Sequence, residues 1–280
     1  MRFDRFAMLD WSSGRDTGPR PRKDAIWLGI NGEEAKAPQY LRNRQLAEVA
    51  LADLIDDTLT RGARLFLAVD FTFGYPRGFA RAVTGSNDPF ALWAYFADRI
   101  EDSPKDNNRF DVAGEINRRF GGKGPFWGNP LKRDIAGLAR NKKDYDNPFP
   151  ERRLCEQEAK GAFTCWQLAG AGAVGAQVLT GLPVLHRLRL RFPNQIAVWP
   201  FEPLSRPIAV VETWPTLINP AVHAAGGIRD AEQVRLMARA FSALPPETLA
   251  QMLAVNAPEE GWIAGLGHEA ALLAALDGLN

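Results

Sequence analysis

Cysteine and histidine are scarce in this chain. There are two cysteines, Cys155 and Cys165, and three scattered histidines, His186, His223 and His268. Two cysteines form at most one disulfide, so a disulfide-stapled secreted scaffold is excluded and two free thiols in a reducing compartment are expected. No Cys/His set has the spacing of zinc ligands, which excludes a structural zinc module. A long unbroken apolar run is also missing. The longest stretch, residues 169–185, is interrupted by Gly170, Gly172, Gly175, Gly181 and Pro183 and carries Gln177, so no membrane span is expected. No basic segment leads into an apolar core and cleavage site at the start, and the expected location is cytoplasmic. A strong net charge is absent as well: at +1, there is no global case for a nucleic-acid binder.

What is present is an ordinary globular composition, 46% hydrophobic and 24% charged over 280 residues, enough for one large domain or a domain with a substantial insertion. The charge is unevenly placed. Residues 105–191 hold 16 Lys/Arg against 9 Asp/Glu, a balance of +7 that leaves −6 for the rest. A basic insert beside an acidic framework suits a phosphate-bearing substrate held over metal, although a solvated helical surface has the same composition.

Three short apolar runs each end on one carboxylate: Phe6 to Asp10, Leu65 to Asp70 and Ile208 to Glu212. Each reads as a buried strand with its acid where the strand leaves the core. If the strands are parallel neighbours, the acids share one edge of a sheet, where α/β folds build their sites. Carboxylates so grouped repel one another unless a cation lies among them, so Mg²⁺ or Mn²⁺ is the expected cofactor. Taken singly, each acid is also what a polar strand end or a turn cap looks like.

Around these runs the chain reads as a meander followed by a crossover. After Asp10 a polar loop rich in Arg, Gly and Pro reaches Arg22, a second strand covers 24–30, Asn31-Gly32 turns, and a third strand covers 33–40. Leu46, Val49, Ala50, Leu54 and Ile55 recur at helical spacing up to Gly62, and the strand ending at Asp70 follows. This order is similar to the ribonuclease H-like α/β fold: a mixed five-stranded sheet of order 3-2-1-4-5 flanked by helices. Its fifth strand is Ile208 to Glu212, with helices over about 230–244 and from Pro258 onward. The expected domains are a core of residues 1–84 and 200–280 and a large, mainly helical insertion at 85–199. Helical patches in the insertion are expected near 89–101, 110–120 and 152–190.

The acids have distinctive surroundings. Asp10-Trp-Ser-Ser-Gly, Asp70-Phe-Thr-Phe-Gly-Tyr-Pro and Glu212-Thr-Trp-Pro each follow the acid with a hydroxyl residue and then Gly or Pro. With Gly124-Pro-Phe-Trp-Gly, Arg153 and Glu156, they resemble domain-of-unknown-function family 429, described as predicted nucleases of ribonuclease H fold. The resemblance spans most of the chain. It implies metal ligands at Asp10, Asp70 and Glu212 and a fourth acid on the last helix, where relatives carry Asp-Asp-x-x-Asp-Ala. Here that stretch reads Glu259-Glu260-Gly-Trp-Ile-Ala-Gly, which makes Glu260 the candidate but lacks the later Asp. After Pro258 the same two acids also suit a helix N-terminus. Glu48 is a weaker helix-borne candidate, because it shares a polar face with Arg44, Gln45 and Asp56.

Expected substrate contacts are the hydroxyl residues after the acids, Ser12, Ser13 and Thr72, and Lys123, Arg153 and Lys160 on the insertion. The row Arg187, Arg189, Arg191 reads as an exposed edge, a helix end or a phosphate track. Gly170-Ala-Gly172-Ala-Val-Gly175 matches the dinucleotide fingerprint literally, but the preceding Phe163 to Leu168 is a poor strand, no βαβ unit surrounds it and no acid lies between Glu158 and Glu202 to take a ribose, so close packing of small residues explains it better. The expected activity is that of a metal-dependent nuclease or phosphodiester hydrolase acting on nucleic acid or nucleotide. The alternatives are a phosphotransferase or ATPase of the actin and sugar-kinase type, which normally duplicates the fold, and a non-catalytic scaffold or small-molecule binder.

Overall fold

The computed structural model describes residues 2–32 and 36–277. In chain order the elements begin with β1 (Arg5–Asp10), β2 (Ile26–Asn31), β3 (Lys36–Leu41), α1 (Arg44–Thr60) and β4 (Leu65–Asp70). They continue with α2 (Phe79–Thr84), α3 (Pro89–Arg99), α4 (Arg109–Arg118), α5 (Leu154–Glu158) and α6 (Val174–Arg191). The last are β5 (Ile196–Trp199), β6 (Ile208–Glu212), α7 (Asn219–Ala225), α8 (Arg229–Ala243), α9 (Pro246–Met252) and α10 (Glu269–Asp277). Positions 33–35, expected to open the third strand, lie outside the described residues.

The chain divides into two compact units, one of residues 1–71, 188–256 and 262–280, the other of 72–187 and 257–261. These boundaries differ from the expected ones at 84/85 and 199/200. The segment from Leu188 to Trp199 joins the first unit because it holds the end of α6 and all of β5, a strand of that unit's sheet.

The first unit is built on a six-stranded mixed sheet of order β3-β2-β1-β4-β6-β5, in which β2 runs antiparallel to both its neighbours and β1, β4, β6 and β5 are parallel. One strand more is present than expected. Ile196-Ala-Val-Trp199 is only four residues long and sits between Pro193 and Pro200, too short for a periodic signal, yet all four residues are buried and pair with β6. Continuous apolar runs such as Leu65 to Val69 are what a strand covered on both faces requires.

One face of this sheet carries α8, which packs across β1, β2 and β3 and is in turn covered by α10. Phe66 of β4 lies between Phe6 of β1 and Phe241 of α8, with ring centroids 5.6 and 5.0 Å away. Such pairs add about 0.5–1.5 kcal/mol each beyond area burial. Helix and sheet meet closely at Gly29, where a Cβ would lie 2.5 Å from the Val234 carbonyl oxygen. The β2–β3 register shifts at the same place, between Leu28 and Ile30. At the start of α1, Asn43 caps the helix by accepting from the Leu46 N–H at 3.0 Å. Arg189 and Arg191, candidates for a phosphate track, are instead engaged by Glu202 and Asp56.

The second unit is helical and loop-rich around an aromatic core in which Tyr75, Phe79, Phe126, Phe149 and Trp166 make ring contacts. The helical patch expected over 152–190 is two helices, α5 and α6. Gly161, Gly170 and Gly172 hold positive φ between them, a backbone no helix allows. Gly175 approaches the Cys165 carbonyl so closely that a Cβ there would collide with it, which accounts for the glycine-rich run by packing. Among the described residues no helix is long and apolar enough to cross a membrane.

Candidate carboxylate site

Asp10 and Asp70 stand directly opposite each other in the β1–β4 register, at the C-terminal ends of two adjacent parallel strands. In-register residues on neighbouring strands share a face, and side chains alternate faces along a strand. Phe66 is four residues before Asp70, so both acids lie on the face against which Phe241 of α8 packs. Glu212 pairs with Val69, one residue short of that level, so the pleat sets it on the opposite face.

The helix covering this face brings a further acid. Asp230, in the first turn of α8, accepts a hydrogen bond from the Asp24 backbone N–H at 2.6 Å. Its charge reaches both Asp10 and Asp70. Burial first, then the charges of Asp70, Asp230 and Asp24, raise the Asp10 carboxyl well above the ordinary carboxylate range, only partly opposed by a backbone hydrogen bond from Trp11. Asp70 is pushed up to about 7 by burial, then by Glu212 and Asp230. Burial also raises Asp230, against the pull of the Asp24 backbone bond and Arg229. Asp10 and Glu212 are buried, Asp70 and Asp230 half-buried and Asp24 exposed, so the group opens to solvent on one side. Asp10, Asp70 and Asp230 are all raised by burial and by neighbouring acids, an arrangement a folded chain avoids unless the charge is used.

Sequence reasoning missed Asp230 because an acid in the first turn of an amphipathic helix is also what the helix dipole favours. The one signal for it was its place in the helix that follows the Glu212 strand.

The loop between β1 and β2, residues 11–25, has no regular structure but is held at many points. Arg44, itself buried, donates to the carbonyls of Ser12 (3.2 Å) and Gly14. Asp16 accepts from Arg42 Nε, Asn43 Nδ2 and the Gly18 N–H, and these bonds, the arginine's foremost, lower its carboxyl to about 2. The Tyr40 hydroxyl donates to the Gly18 carbonyl (2.8 Å), and Trp27 Nε1 to that of Arg22 (3.1 Å). Ser12 Oγ donates to the Asp24 carbonyl at 3.1 Å and accepts from the Gly14 N–H, so this serine is a turn-former; Ser13 is half-buried beside it.

Other expected site residues belong to the second unit and do different work. Glu260, the candidate fourth ligand, lies in a turn and not on a helix, since the last helix begins at Glu269. Its two carboxylate oxygens accept from the backbone N–H groups of Arg77 (2.8 Å) and Leu154 (2.7 Å), and Glu259 accepts from that of Gly78 (2.7 Å). Both acids stitch loops together. Arg153 is fully buried, paired with Glu156 at 2.7 Å and donating to the Glu260 carbonyl at 3.0 Å, so it cannot reach a substrate. Lys123 and Lys160 are exposed, while Thr72 is buried and its hydroxyl lacks a hydrogen-bond partner among the described residues.

Among the described residues no three His, Cys, Asp or Glu side chains stand close enough together to hold a metal ion. A cavity of about 370 Å³ lined by Asp4, Arg5, Asn31 and Arg61 opens at the opposite, N-terminal edge of β1 and β4 and takes no part in this group. No family model matches the chain, and no curated protein or solved structure matches it either.

Proposed function

We propose that the chain is a ribonuclease H-like phosphodiester hydrolase of the family 429 type, acting on nucleic acid or nucleotide with Mg²⁺ or Mn²⁺. The observation that carries this reading is the Asp10–Asp70 pair, in register at the ends of parallel strands, with Asp230 acting electrostatically on both and Glu212 on Asp70. Further support comes from the order β3-β2-β1-β4-β6, to which β5 is added at the edge. The donor set consists of carboxylate oxygens alone, which suits a hard divalent cation, and the mutual repulsion of these acids is what such a cation removes. Asp10 and Asp70 would supply the ligand oxygens, a pair and not a trio, and Asp230 would add charge beside them without joining the set. Bound there, the cation would neutralise phosphate charge and acidify a water.

The residues themselves perform defined tasks in this reading. Burial and neighbouring charge raise the Asp10 and Asp70 carboxyls above the ordinary range, Asp70 to about 7. Glu212, on the opposite face, adds to the rise at Asp70. Arg44 fixes the backbone that leaves Asp10 and so orients the first acid.

Incubating labelled single-stranded, duplex and RNA–DNA hybrid oligonucleotides with Mn²⁺ tests the reading. Wild type should cleave at least one of them and Asp10→Asn none. Cleavage that survives in Asp10→Asn, or ATP turnover without cleavage, would sink the hydrolase.

A further inference from the structure

We propose that the β1–β2 loop is an oligonucleotide-backbone grip, with Arg15, Arg20, Arg22 and Lys23 holding the phosphates. The proposal rests on the hydrolase reading and names how that site would hold its substrate. Three observations carry it. First, all four cations are exposed, and among the described residues none has an ion pair, side-chain hydrogen bond or ring contact. The loop's own framework uses different residues, Asp16, Tyr40, Arg42, Asn43 and Arg44, and leaves these four over. Second, an irregular segment of this length is uncommon in a compact unit unless it has a task. Holding it at so many points costs conformational entropy, which a merely solvated connection has no need to lose.

Third, the loop leaves β1 at Asp10 and near its other end carries Asp24, whose N–H is bonded to Asp230, so members of the acidic group flank it on both sides. Acids gathered in this way repel a polyanion before any metal is bound. Four unneutralised cations on the segment joining two of those acids offset much of that charge and offer phosphates a hold beside it. Three of the four are arginines, whose planar fork matches phosphate oxygens in pairs. Interactions of this kind set register and affinity without reading sequence.

The test is fluorescence anisotropy of a labelled 20-nucleotide oligo(dT) in EDTA, so that no metal is needed, with salt varied from 50 to 300 mM. The variant is Arg15→Ser/Arg20→Ser/Arg22→Ser/Lys23→Ser in the full chain. Its melting temperature should equal that of wild type, because the replaced side chains are exposed and unpaired. We expect the variant to bind at least tenfold more weakly at 50 mM salt. The slope of log affinity against log salt should flatten by about 0.7 for each phosphate that the variant no longer neutralises. Equal affinity and slope in wild type and variant would overturn the grip, as would an absence of oligonucleotide binding by wild type. Loop-dependent binding without cleavage in Mn²⁺ would leave the grip standing and remove the hydrolase. Cleavage with loop-independent binding would do the reverse.

Discussion

Two places in this molecule bury carboxylates, and they treat them in opposite ways. In the second unit Glu156 faces Arg153 and Glu260 accepts two backbone N–H groups, so every charge there is answered. At the C-terminal edge of the sheet in the first unit, Asp10 and Asp70 are answered mainly by other acids. Buried charge that is fully satisfied holds structure together; buried charge left in mutual conflict costs stability, and that cost points to use.

Breaking the satisfied cluster should have the largest effect. Arg153→Ala removes the guanidinium and leaves the Glu156 carboxylate buried without its partner, which costs about 3–5 kcal/mol. Urea unfolding should show it, and an unchanged midpoint would dissolve the contrast.

The conflicted cluster should respond to pH with the opposite sign from most carboxylates. Asp70 is raised from 3.8 to about 7, so the folded chain binds its proton more tightly than the unfolded chain does. Its contribution is therefore greatest below pH 4, declines as pH rises through about 7 and is flat beyond, a change on the order of 4 kcal/mol. In metal-free buffer Asp70→Asn should flatten this decline and melt higher than wild type at pH 8. A lower melting temperature for the variant at that pH would contradict the assignment.

Divalent metal should relieve the same conflict. At 100 times its dissociation constant Mn²⁺ would add about 2.7 kcal/mol of stability to wild type. It should add little to Asp10→Asn, and Asp230→Asn should fall between the two; thermal melts with and without Mn²⁺ read the order directly. Glu260→Gln separates the two regions further. It should lose about 1–3 kcal/mol by weakening two buried hydrogen bonds while keeping the full Mn²⁺ response. The smallest effect is expected at Lys160: Lys160→Ala should stay within about 0.5 kcal/mol of wild type, as an exposed cation without a structural task does.

The outline of the sheet is legible in the sequence because β1, β4 and β6 are apolar runs that each end on an acid, and runs of that kind are the strongest local signal a buried strand gives. Sequence also places Asp10 and Asp70 together, since strand order makes their strands neighbours. Other features depend on information that a linear reading lacks. Glu212 ends its strand as the others do, but its face depends on a one-residue register offset fixed only when β6 docks on β4. Pro258-Glu259-Glu260 has the composition of a helix start, and the turn it adopts is set by backbone partners at Arg77, Gly78 and Leu154, more than 100 residues earlier. Arg153 has the look of a substrate ligand because arginine is usually exposed, and burial of its whole side chain follows from the acid one helical turn along. β5 falls inside the expected insertion because four residues carry no periodicity.

Gly29 gives the close approach of α8 a meaning beyond packing. The helix that carries Asp230 rests on this position with no room for a methyl group, so the gap between helix and sheet is set there by a hydrogen atom. Asp230 projects from the first turn of the same helix, about one turn before Val234. Gly29 thus acts as a spacer gauge: the separation between the helix-borne acid and the strand-borne pair is fixed on the neighbouring strand, at a residue that carries no chemistry of its own.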